Sequence, residues 1–388
     1  MPYYRRVGDV PPKRHTFLCD AEGRRLPEEL MGQEGFSSSS SLLYHRHSPS
    51  AISAADPVEM SRSPLAANEG LLPWHVRAAT LPAQGDLVTN RNVLLGNGSV
   101  TISWAAALEA SGLYRNAAGD ELVYVQSGRG TLESVFGRLA VGPGDYIVIP
   151  ASTTHRWLVD DGEPLAALVA EARGHIGPPA RYLSATGQFL EQAPYCERDL
   201  RIPEGPLVEG DHEATVLVRH RAGWARHTHV HHPFDVVGWD GCVYPYALSI
   251  HDFEPIVGRV HQPPPVHQTF VGPGFVVCSF VPRPYDWHPD AVKVPYHHAN
   301  TDSDEVLFYS AGNFMSRRGA GISAGSLTLH PAGFVHGPQP GSVEAAIGQD
   351  RTDELAVMID TFEPLLVSEA ARGCADPRYP WSWGQPPP

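Results

Sequence analysis

The chain has 388 residues, of which 42% are apolar, so it can bury a sizeable core as two domains or one large two-part unit. Its formal charge of −14 and the lack of any Lys/Arg-rich run argue against partners such as nucleic acid or an anionic membrane. Five scattered cysteines without a CxxC pair, and no long apolar run, argue against a disulfide framework, a zinc finger or a membrane span. We therefore expect a cytoplasmic protein.

Prolines and glycines break the apolar segments into runs of about five to eight residues, which is typical of β-strands. In chain order, the runs predicted as strands are 99–104, 121–128, 138–150, 214–220, 274–282, 304–312 and 355–362. Helical periodicity is hard to find. The pattern predicts an all-β sandwich or barrel, the jelly-roll group included.

Two spaced motifs occur twice in the same order, which indicates an internal duplication. The second-half copy consists of His298, Asn300, Glu305 and Gly312, then Gly325, Pro331, Gly333 and His336. The first-half copy has Tyr114, Asn116, Glu121 and Gly128, then Gly144, Pro150, Ser152 and His155. This pattern resembles the cupin superfamily, whose two motifs bring metal ligands into the mouth of a small β-barrel.

The duplication predicts a bicupin, with two jelly-roll-like β-barrels of which the C-terminal one holds the metal. We expect an N-terminal extension over 1–90, a degenerate barrel over 91–200 and a catalytic barrel over 201–388. In the first copy Tyr114 stands where the second has His298, which makes a poor divalent-metal site. Glu121 and His155 are predicted to form a hydrogen-bonded pair inside a structural barrel.

In the second copy, His298, Glu305 and His336 can converge on one metal ion. Two imidazoles and one carboxylate leave half an octahedron free, which suits Fe(II); Mn(II) fits the same donors. A shift of one residue would exchange His298 for His297, although strand alternation and the motif register favour His298. Asp304 could likewise replace Glu305, although the motif register favours Glu305.

A closer resemblance is carried by HHPFDVVGWDGCVYPYAL, VHQPPPVHQTF, PYHHANTDSDE, GSLTLHPAGFVHGPQPG and MIDTFEPL, with GFSSSSSLLYHRH further upstream. These segments resemble the homogentisate 1,2-dioxygenases in their order and in much of their amino-acid sequence. The resemblance implies a bicupin that uses Fe(II) and O₂ to open the ring of homogentisate, giving maleylacetoacetate in tyrosine and phenylalanine breakdown. It also implies a homo-oligomer.

Carried over by position, the resemblance places the iron ligands on His298, Glu305 and His336. It places an acid/base histidine on His261, with His267 as a less favoured stand-in. A further catalytic histidine, which would hold the substrate hydroxyl, falls on His330. An imidazole suits this chemistry because it can accept a phenolic proton near neutral pH. Structural polar contacts are the alternative for both His261 and His330.

Departures from the family pattern bear on the substrate. Phe314 stands near the expected ring pocket where the longer homogentisate enzymes carry a tyrosine, and the chain has Asp240 and Gly241 where they have HG. Arg317 and Arg318 could pair with a substrate carboxylate, although a solvated turn is the favoured interpretation. The name of the aromatic substrate therefore stays open.

Other interpretations remain. The histidines of 226–232 could hold a second metal, although a strand edge or a subunit contact is favoured. The enzyme could open a differently substituted hydroquinone within a biosynthetic pathway. A metal-dependent cupin isomerase or hydrolase would use the same ligands without O₂, and a non-catalytic bicupin could store or sense a small molecule.

Overall fold

The computed structural model describes residues 3–60, 63–294, 296–317 and 321–384. Strands dominate these ranges, so the predicted all-β class is confirmed. The strands of the first half are β1 Arg5–Gly8, β2 Glu28–Gly32, β3 Ser40–His45, β4 Ile52–Val58, β5 Leu65–Ala66, β6 Trp74–Val76, β7 Asn92–Gly96, β8 Val100–Ala107, β9 Leu113–Asn116, β10 Glu121–Ser127, β11 Gly130–Ser134, β12 Gly137–Val141, β13 Asp145–Ile149, β14 His155–Val159 and β15 Leu165–Ala172.

The strands that follow are β16 Leu200–Arg201, β17 Ala214–His220, β18 Gly223–His229, β19 Val236–Gly241, β20 Tyr246–Ser249, β21 Gln268–Gly272, β22 Phe275–Phe280, β23 Arg283–Pro284, β24 Asp304–Ala311, β25 Ser326–His330, β26 Arg351–Thr352, β27 Leu355–Thr361 and β28 Leu366–Ser368. The α-helices are α1 Ser342–Ala346 and α2 Glu369–Gly373. Short 3₁₀ turns lie at Glu34–Phe36, Ala78–Thr80, Ala180–Tyr182, Glu197–Asp199, Ile250–Asp252, Pro264–His267, Met315–Arg317 and Tyr379–Gly384. None of the helices within the described ranges combines the length and apolar content that a membrane crossing requires.

The N-terminal unit is a sandwich of a nine-stranded sheet, β16-β20-β13-β10-β15-β8-β7-β28-β5, and a seven-stranded sheet, β12-β11-β14-β9-β17-β18-β4. Successive side chains of a strand point to opposite faces, so alternate residues of β10, β13 and β15 face the interior of the sandwich. These positions are mostly β-branched or small apolar residues and pack around the fully buried Trp157. The interior of this unit is therefore largely filled.

The C-terminal unit is built on a six-stranded sheet, β21-β22-β27-β24-β25-β6. Its second wall is much shorter and contains the β23-β26 pair and an isolated bridge between His298 and His336. The buried apolar cluster on the inner face is small, with Leu307, Tyr309, Phe314 and Ala356. Space on this face is left for polar side chains.

The two units share one strand order. The N-terminal series β13-β10-β15-β8-β7 corresponds to the C-terminal series β25-β24-β27-β22-β21, with every neighbouring pair antiparallel. The motif glycines Gly128 and Gly312 end corresponding strands at positive φ of 75° and 95°. A Cβ at either position would collide with a backbone carbonyl, which explains why glycine recurs at this spacing. The duplication predicted from the motifs is present in the topology, and the fold is a bicupin.

The two units pack through the outer faces of their large sheets. Trp104 and Tyr124 of the first unit lie against Phe308 of the second, with ring centroids 5.7 and 6.0 Å apart. The Tyr124 hydroxyl donates to Ser310 Oγ at 2.7 Å. This hydrogen bond lets a fully buried tyrosine retain a polar partner.

Strand pairing crosses the domain boundaries that we expected. Strand β4 pairs with β18 and β6 with β25, so the segment 1–90 supplies strands to both units. Strand β17 pairs with β9, and β20 with β13, both within the N-terminal unit. We therefore propose that the main boundary between the two units lies after β20 rather than near residue 200, with β28 returning to the N-terminal unit beside β7.

Candidate metal centre and active site

The structure brings the three predicted metal ligands together. Glu305 faces inward near the start of β24, while His298 and His336 lie on facing segments joined by backbone hydrogen bonds of 2.8 and 2.9 Å. His298 Nε2 is 3.5 Å from Glu305 Oε2, and His336 Nε2 is 3.1 Å from Glu305 Oε1. One ligand atom from each residue lies within 4.8 Å of the other two. Donors about 2.1 Å from one ion stand about 3 Å apart when they meet at right angles.

The orientation of the two imidazoles suits a cation. Nδ1 of His298 donates to the carbonyl of Tyr296, and Nδ1 of His336 donates to the carbonyl of Phe334, both at 3.0 Å. A carbonyl oxygen can only accept, so in the neutral tautomer each Nε2 points a lone pair at Glu305. Two lone pairs facing a carboxylate repel it unless a proton or a metal cation lies between. Histidines fixed in this way through Nδ1 are typical of metal ligands, so the residues present fit a divalent ion.

The neighbouring residues that could have replaced these ligands lie elsewhere. His297 is exposed, and its ring lies against Gly337. Asp304 is buried, and its two carboxylate oxygens accept from the backbone N–H groups of Ala332 at 2.9 Å and Leu365 at 2.7 Å. His298, not His297, lies beside the carboxylate of Glu305. Asp304 instead binds the backbone of the segments that flank Glu305.

Glu305 stays charged although it is buried. Burial disfavours the carboxylate, but contacts with His298, His330 and His336 outweigh burial and hold the pKa of Glu305 well below its usual range. Burial lowers the pKa of His330 to about 3, so this imidazole is neutral at physiological pH. A metal ion requires a negative carboxylate, and the imidazoles that bind it do so in their neutral form.

The fully buried His330 links Glu305 to the C-terminal segment. Its Nδ1 donates to Glu305 Oε1 at 2.8 Å, and its Nε2 accepts from the Tyr379 hydroxyl at 2.9 Å. The ring also stacks on His336, with centroids 4.1 Å apart. Because both ring nitrogens are engaged, His330 is placed to orient Glu305.

At the corresponding place in the N-terminal unit, an arginine contacts the carboxylate. Arg91 donates to both oxygens of Glu121, at 3.0 and 2.8 Å, and to Glu171 at 3.1 Å. Tyr114 and Asn116 also donate to Glu121, at 2.8 and 2.9 Å. A guanidinium thus takes the place that a metal would occupy.

The expected hydrogen bond between Glu121 and His155 is not formed. Nδ1 of His155 donates to the carbonyl of Thr153 at 2.9 Å, as in the C-terminal histidines. Its buried Nε2 has no hydrogen-bond partner in the part of the chain that the structure describes. The sequence-based interpretation missed Arg91 because it stands outside the duplicated motif.

A model of the homogentisate 1,2-dioxygenase N-terminal region matches residues 35–250, which is more than half of the chain. The chain belongs to the homogentisate 1,2-dioxygenase family. A protein of Saccharolobus solfataricus, named provisionally as a dioxygenase, is 39% identical over 389 residues, or 99% of each chain. The expected enzyme class, a dioxygenase, is confirmed at the level of the family.

More distant family members are longer. The homogentisate 1,2-dioxygenase of Emericella nidulans is 28% identical over 287 residues, covering 68% of this chain and 62% of that one. The enzyme of Caenorhabditis elegans is 28% identical over 280 residues, covering 70% and 61%. The chain thus spans about six tenths of the length of these two relatives. A solved cupin 2 conserved barrel domain protein from Leptotrichia buccalis aligns with 79% of this chain and 100% of its own, at 10% identity and a TM-score of 0.32.

His261, to which the resemblance assigns acid/base chemistry, lies apart from the Glu305 carboxylate. The side chain of His261 is 43% exposed, with Nδ1 3.8 Å from Asp286 Oδ2 and its ring edge against Tyr296, centroids 5.6 Å apart. Among the residues that the structure describes, no hydrogen bond joins His261 to Glu305 or its two histidines. Its nearest link to them is Tyr296, whose carbonyl accepts from His298.

The predicted stand-in, His267, is buried and packs on Phe280 with ring centroids 4.7 Å apart. Burial lowers the pKa of His267 to about 3. His261 and His267 nevertheless line one shallow cavity, together with Tyr296.

Phe314, which the resemblance marks as a departure from the family pattern, lies in the small apolar cluster on the inner face of the C-terminal unit. It has a positive φ of 41°, and its ring meets Tyr309 edge-on at 5.2 Å. Arg317 is buried and donates to the Tyr309 hydroxyl and the Gly337 carbonyl, so the solvated-turn interpretation is wrong for this residue. Arg318 lies outside the described residues.

Two polar residues near Glu305 were missed by the sequence analysis. Tyr379 reaches His330 from a 3₁₀ turn far along the chain. Asp360 in β27 is the direct cross-strand partner of Glu305, and burial together with the Glu305 charge raises the pKa of Asp360 to about 8. Strand alternation within MIDTFEPL could have placed Asp360 on the inner face, but its pairing with Glu305 depends on the sheet register.

The histidine run 226–232 does not join this site. Its His231 donates from Nδ1 to Asp211 Oδ1 at 2.6 Å and stacks on His47 with ring centroids 4.0 Å apart. Ligand atoms of these three residues also lie within 4.8 Å of one another. All three side chains are 31 to 55% exposed, unlike Glu305, and β18, which contains the start of the run, pairs with β4.

Proposed function

We propose that the protein is an Fe(II)-dependent dioxygenase that opens the ring of homogentisate, or of a closely related hydroquinone acid, with O₂. The product from homogentisate is maleylacetoacetate, which places the reaction in tyrosine and phenylalanine breakdown. The observation that carries the proposal is the pair of Nε2 atoms, from His298 and His336, that face the buried Glu305 carboxylate while each Nδ1 is held by a backbone carbonyl. Family membership supports the ring-opening chemistry.

His298, Glu305 and His336 would hold the ion, and Mn(II) would fit the same donors. Bound Fe(II) supplies open coordination positions for a hydroquinone and O₂ and a route for electrons between them. His330 keeps Glu305 oriented by donating to Oε1, and Tyr379 keeps His330 in the tautomer that can donate.

His261 is proposed as the group that accepts the phenolic proton of the substrate. Its imidazole is half-exposed, so incoming substrate can reach it, and a neutral imidazole accepts such a proton near neutral pH. Apo hydrogen bonds in active sites are commonly loose and tighten when substrate binds. The position of His261 beside Tyr296 is compatible with that role.

Phe314 favours a second candidate, the same ring opening on a differently substituted hydroquinone. Its ring packs into an apolar cluster, and it carries no hydroxyl that could bind a substrate hydroxyl or carboxylate. Loss of one donor from a pocket changes which polar substituent the pocket accepts. We propose in addition a cytoplasmic location and a homo-oligomeric assembly, in keeping with the resemblance.

The test is anaerobic reconstitution with Fe(II), followed by measurement of O₂ consumption with homogentisate, gentisate and related hydroquinones. We expect uptake with homogentisate and a ring-opened product. Uptake only with another hydroquinone selects the second candidate. Absence of uptake with every hydroquinone refutes the dioxygenase proposal and leaves an O₂-independent cupin isomerase or hydrolase.

Single substitutions test the assigned roles. We expect His298→Ala and His336→Ala to lose bound iron, and His261→Ala to retain iron but lose turnover. His297→Ala is the matched control for His298→Ala, because the two residues are adjacent and only His298 lies beside Glu305. Loss of iron in His297→Ala with retention in His298→Ala would refute this ligand set.

A further inference from the structure

A second carboxylate stands beside Glu305 without a countercharge. Asp360 of β27 is opposite Glu305 of β24 in the antiparallel register, and residues in that relation point to the same face of a sheet. Of their strand neighbours, Leu307 belongs to the inner apolar cluster and Met358 packs against it, so this face is the interior of the C-terminal unit. Asp360 Oδ1 is buried and has no hydrogen-bond partner within the described ranges.

The duplicated position in the N-terminal unit shows how such a pair is satisfied. Glu121 of β10 is opposite Glu171 of β15, the strands that correspond to β24 and β27. Arg91 donates to both carboxylates, and Arg219 forms a further ion pair with Glu171. Two buried carboxylates are thus matched by two guanidinium charges, as burial of charged groups requires.

The C-terminal unit has no matching guanidinium among its described residues. Arg91 directly precedes β7, whereas His267 directly precedes the corresponding strand β21. Arg317 is buried in this unit, but it donates to the Tyr309 hydroxyl and the Gly337 carbonyl rather than to Glu305 or Asp360. Among the described residues, Asp360 therefore lacks the guanidinium partner that Glu171 has, and a divalent ion would supply the missing positive charge.

We propose that Asp360 is the outer carboxylate of the metal site, which balances the second positive charge of a divalent cation. This inference rests on the proposed function, because it assumes an ion at His298, Glu305 and His336. Asp360 does not belong to the set of donors that lie within 4.8 Å of one another, so it acts on the ion from outside the ligand set. With two neutral imidazoles, one divalent ion and two carboxylates, the site has no net charge, as in the N-terminal unit.

The experiment is calorimetric titration of the metal-free protein with Mn(II), with thermal melting of the metal-free form. We expect Asp360→Asn to weaken Mn(II) binding by about tenfold to a hundredfold, which is the usual effect of removing an outer partner of a metal site. The metal-free variant should melt at the wild-type temperature or higher, because asparagine, unlike Asp360, cannot take on a charge that Glu305 repels. Asp360→Glu keeps the charge and should retain most of the affinity.

Two controls separate charge balance from folding. Asp302→Asn makes the same change at an exposed position three residues before Glu305 and should leave Mn(II) affinity unchanged. Glu171→Gln changes the duplicated position and should lower the melting temperature while leaving Mn(II) affinity unchanged, because Arg91 and Arg219 lose a partner.

The outcomes distinguish the two proposals. Wild-type affinity in Asp360→Asn, with metal bound by the wild type, overturns the role of Asp360 alone. Absence of Mn(II) and Fe(II) binding by the wild type itself overturns the proposed metal-dependent function, and the role of Asp360 with it. Equal losses of affinity in Asp360→Asn and Asp360→Glu, accompanied by lower melting temperatures, would mark Asp360 as a packing residue and overturn the inference.

Discussion

The interiors of the two units differ although their strands follow the same order. In the N-terminal unit, apolar side chains fill the space around Trp157, and Arg91 is paired with the buried Glu121. In the C-terminal unit, the apolar cluster is small and Glu305 is faced by histidines. A buried carboxylate at the same place in a duplicated fold thus receives its cation from the chain in one unit and, by our proposal, from solution in the other.

The comparison shows how a metal site can be lost without loss of the fold. If a ligand such as His298 were replaced by a tyrosine, as at Tyr114, the site would no longer bind a metal ion. The buried carboxylate would then have no positive charge to offset the free-energy cost of its burial. A guanidinium offers several donors in a fixed plane, so it can satisfy two carboxylates at once. The carboxylate is present in both units, paired with a guanidinium in the first and, by our proposal, with a metal ion in the second.

The largest contrast is expected from removal of the carboxylate. Glu305→Ala should lose bound metal and lower kcat/KM by about 1000-fold or more, because the ion supplies several kcal/mol of stabilisation. Glu121→Ala should retain both the metal content and kcat/KM of the folded fraction. Metal analysis and O₂ consumption measure the two effects, and metal loss in Glu121→Ala would break the assignment of roles to the two units.

The next largest effect is expected from substitution of Arg91, the cation that pairs with Glu121 in the N-terminal unit. Arg91→Met should lower the free energy of unfolding by about 3–5 kcal/mol, because it leaves Glu121 and Glu171 buried without their shared partner. Arg351→Met is the control, since its ion pair with Asp353 is exposed and should contribute less than about 1 kcal/mol. Chemical denaturation measures both, and equal effects would contradict the proposed importance of burial.

A smaller effect should appear with pH, because the first half carries another internal cation. Burial disfavours protonated His45, but hydrogen bonds to Asp235 and Glu29 outweigh burial and raise the pKa of His45 from 6.5 to about 9. Its contribution to stability is fully present below pH 6.5 and is lost as pH rises through about 9, with a total of about 3 kcal/mol.

Denaturation of the metal-free protein at several pH values between 6.5 and 9.5 tests this titration. The same series with His45→Gln should show a weaker dependence, because glutamine does not titrate. A wild-type stability that is as insensitive to pH as that of His45→Gln would rule out a buried imidazolium at this position.

The smallest expected effect concerns the hydrogen bond from Tyr379 to His330. Tyr379→Phe should weaken metal binding by about threefold to tenfold, which corresponds to about 1 kcal/mol for one neutral hydrogen bond. Trp381→Phe lies in the same 3₁₀ turn with an exposed side chain and should bind metal as the wild type does. Metal titration compares them, and unchanged affinity in Tyr379→Phe would remove Tyr379 from the site.

Much of the fold was predictable because the motifs encode local geometry. Spacing within a strand–turn–strand unit determines which side chains share a face, so the convergence of His298, Glu305 and His336 followed from the motif register. The bicupin fold followed from the repetition of that register. Strand alternation also distinguished His298 from His297.

The remaining features depend on contacts between distant segments. Arg91 lies 30 residues before Glu121, and Tyr379 lies 49 residues after His330, so no local pattern connects either pair. The pairing of β17 with β9 and of β4 with β18 likewise follows from which exposed edge a strand can reach. Such pairings are decided by tertiary packing, which a motif does not encode.

The contact between Tyr379 and His330 has a consequence for when the surroundings of Glu305 can be completed during translation. A ribosome completes β24 and β25 well before it reaches the turn at Tyr379–Gly384, so Glu305 and His330 emerge without their last neighbour. Arg91, in contrast, is synthesised before Glu121, and the nascent N-terminal unit already contains its cation. During translation, Glu121 therefore has its cation as soon as it emerges, whereas His330 must wait for Tyr379.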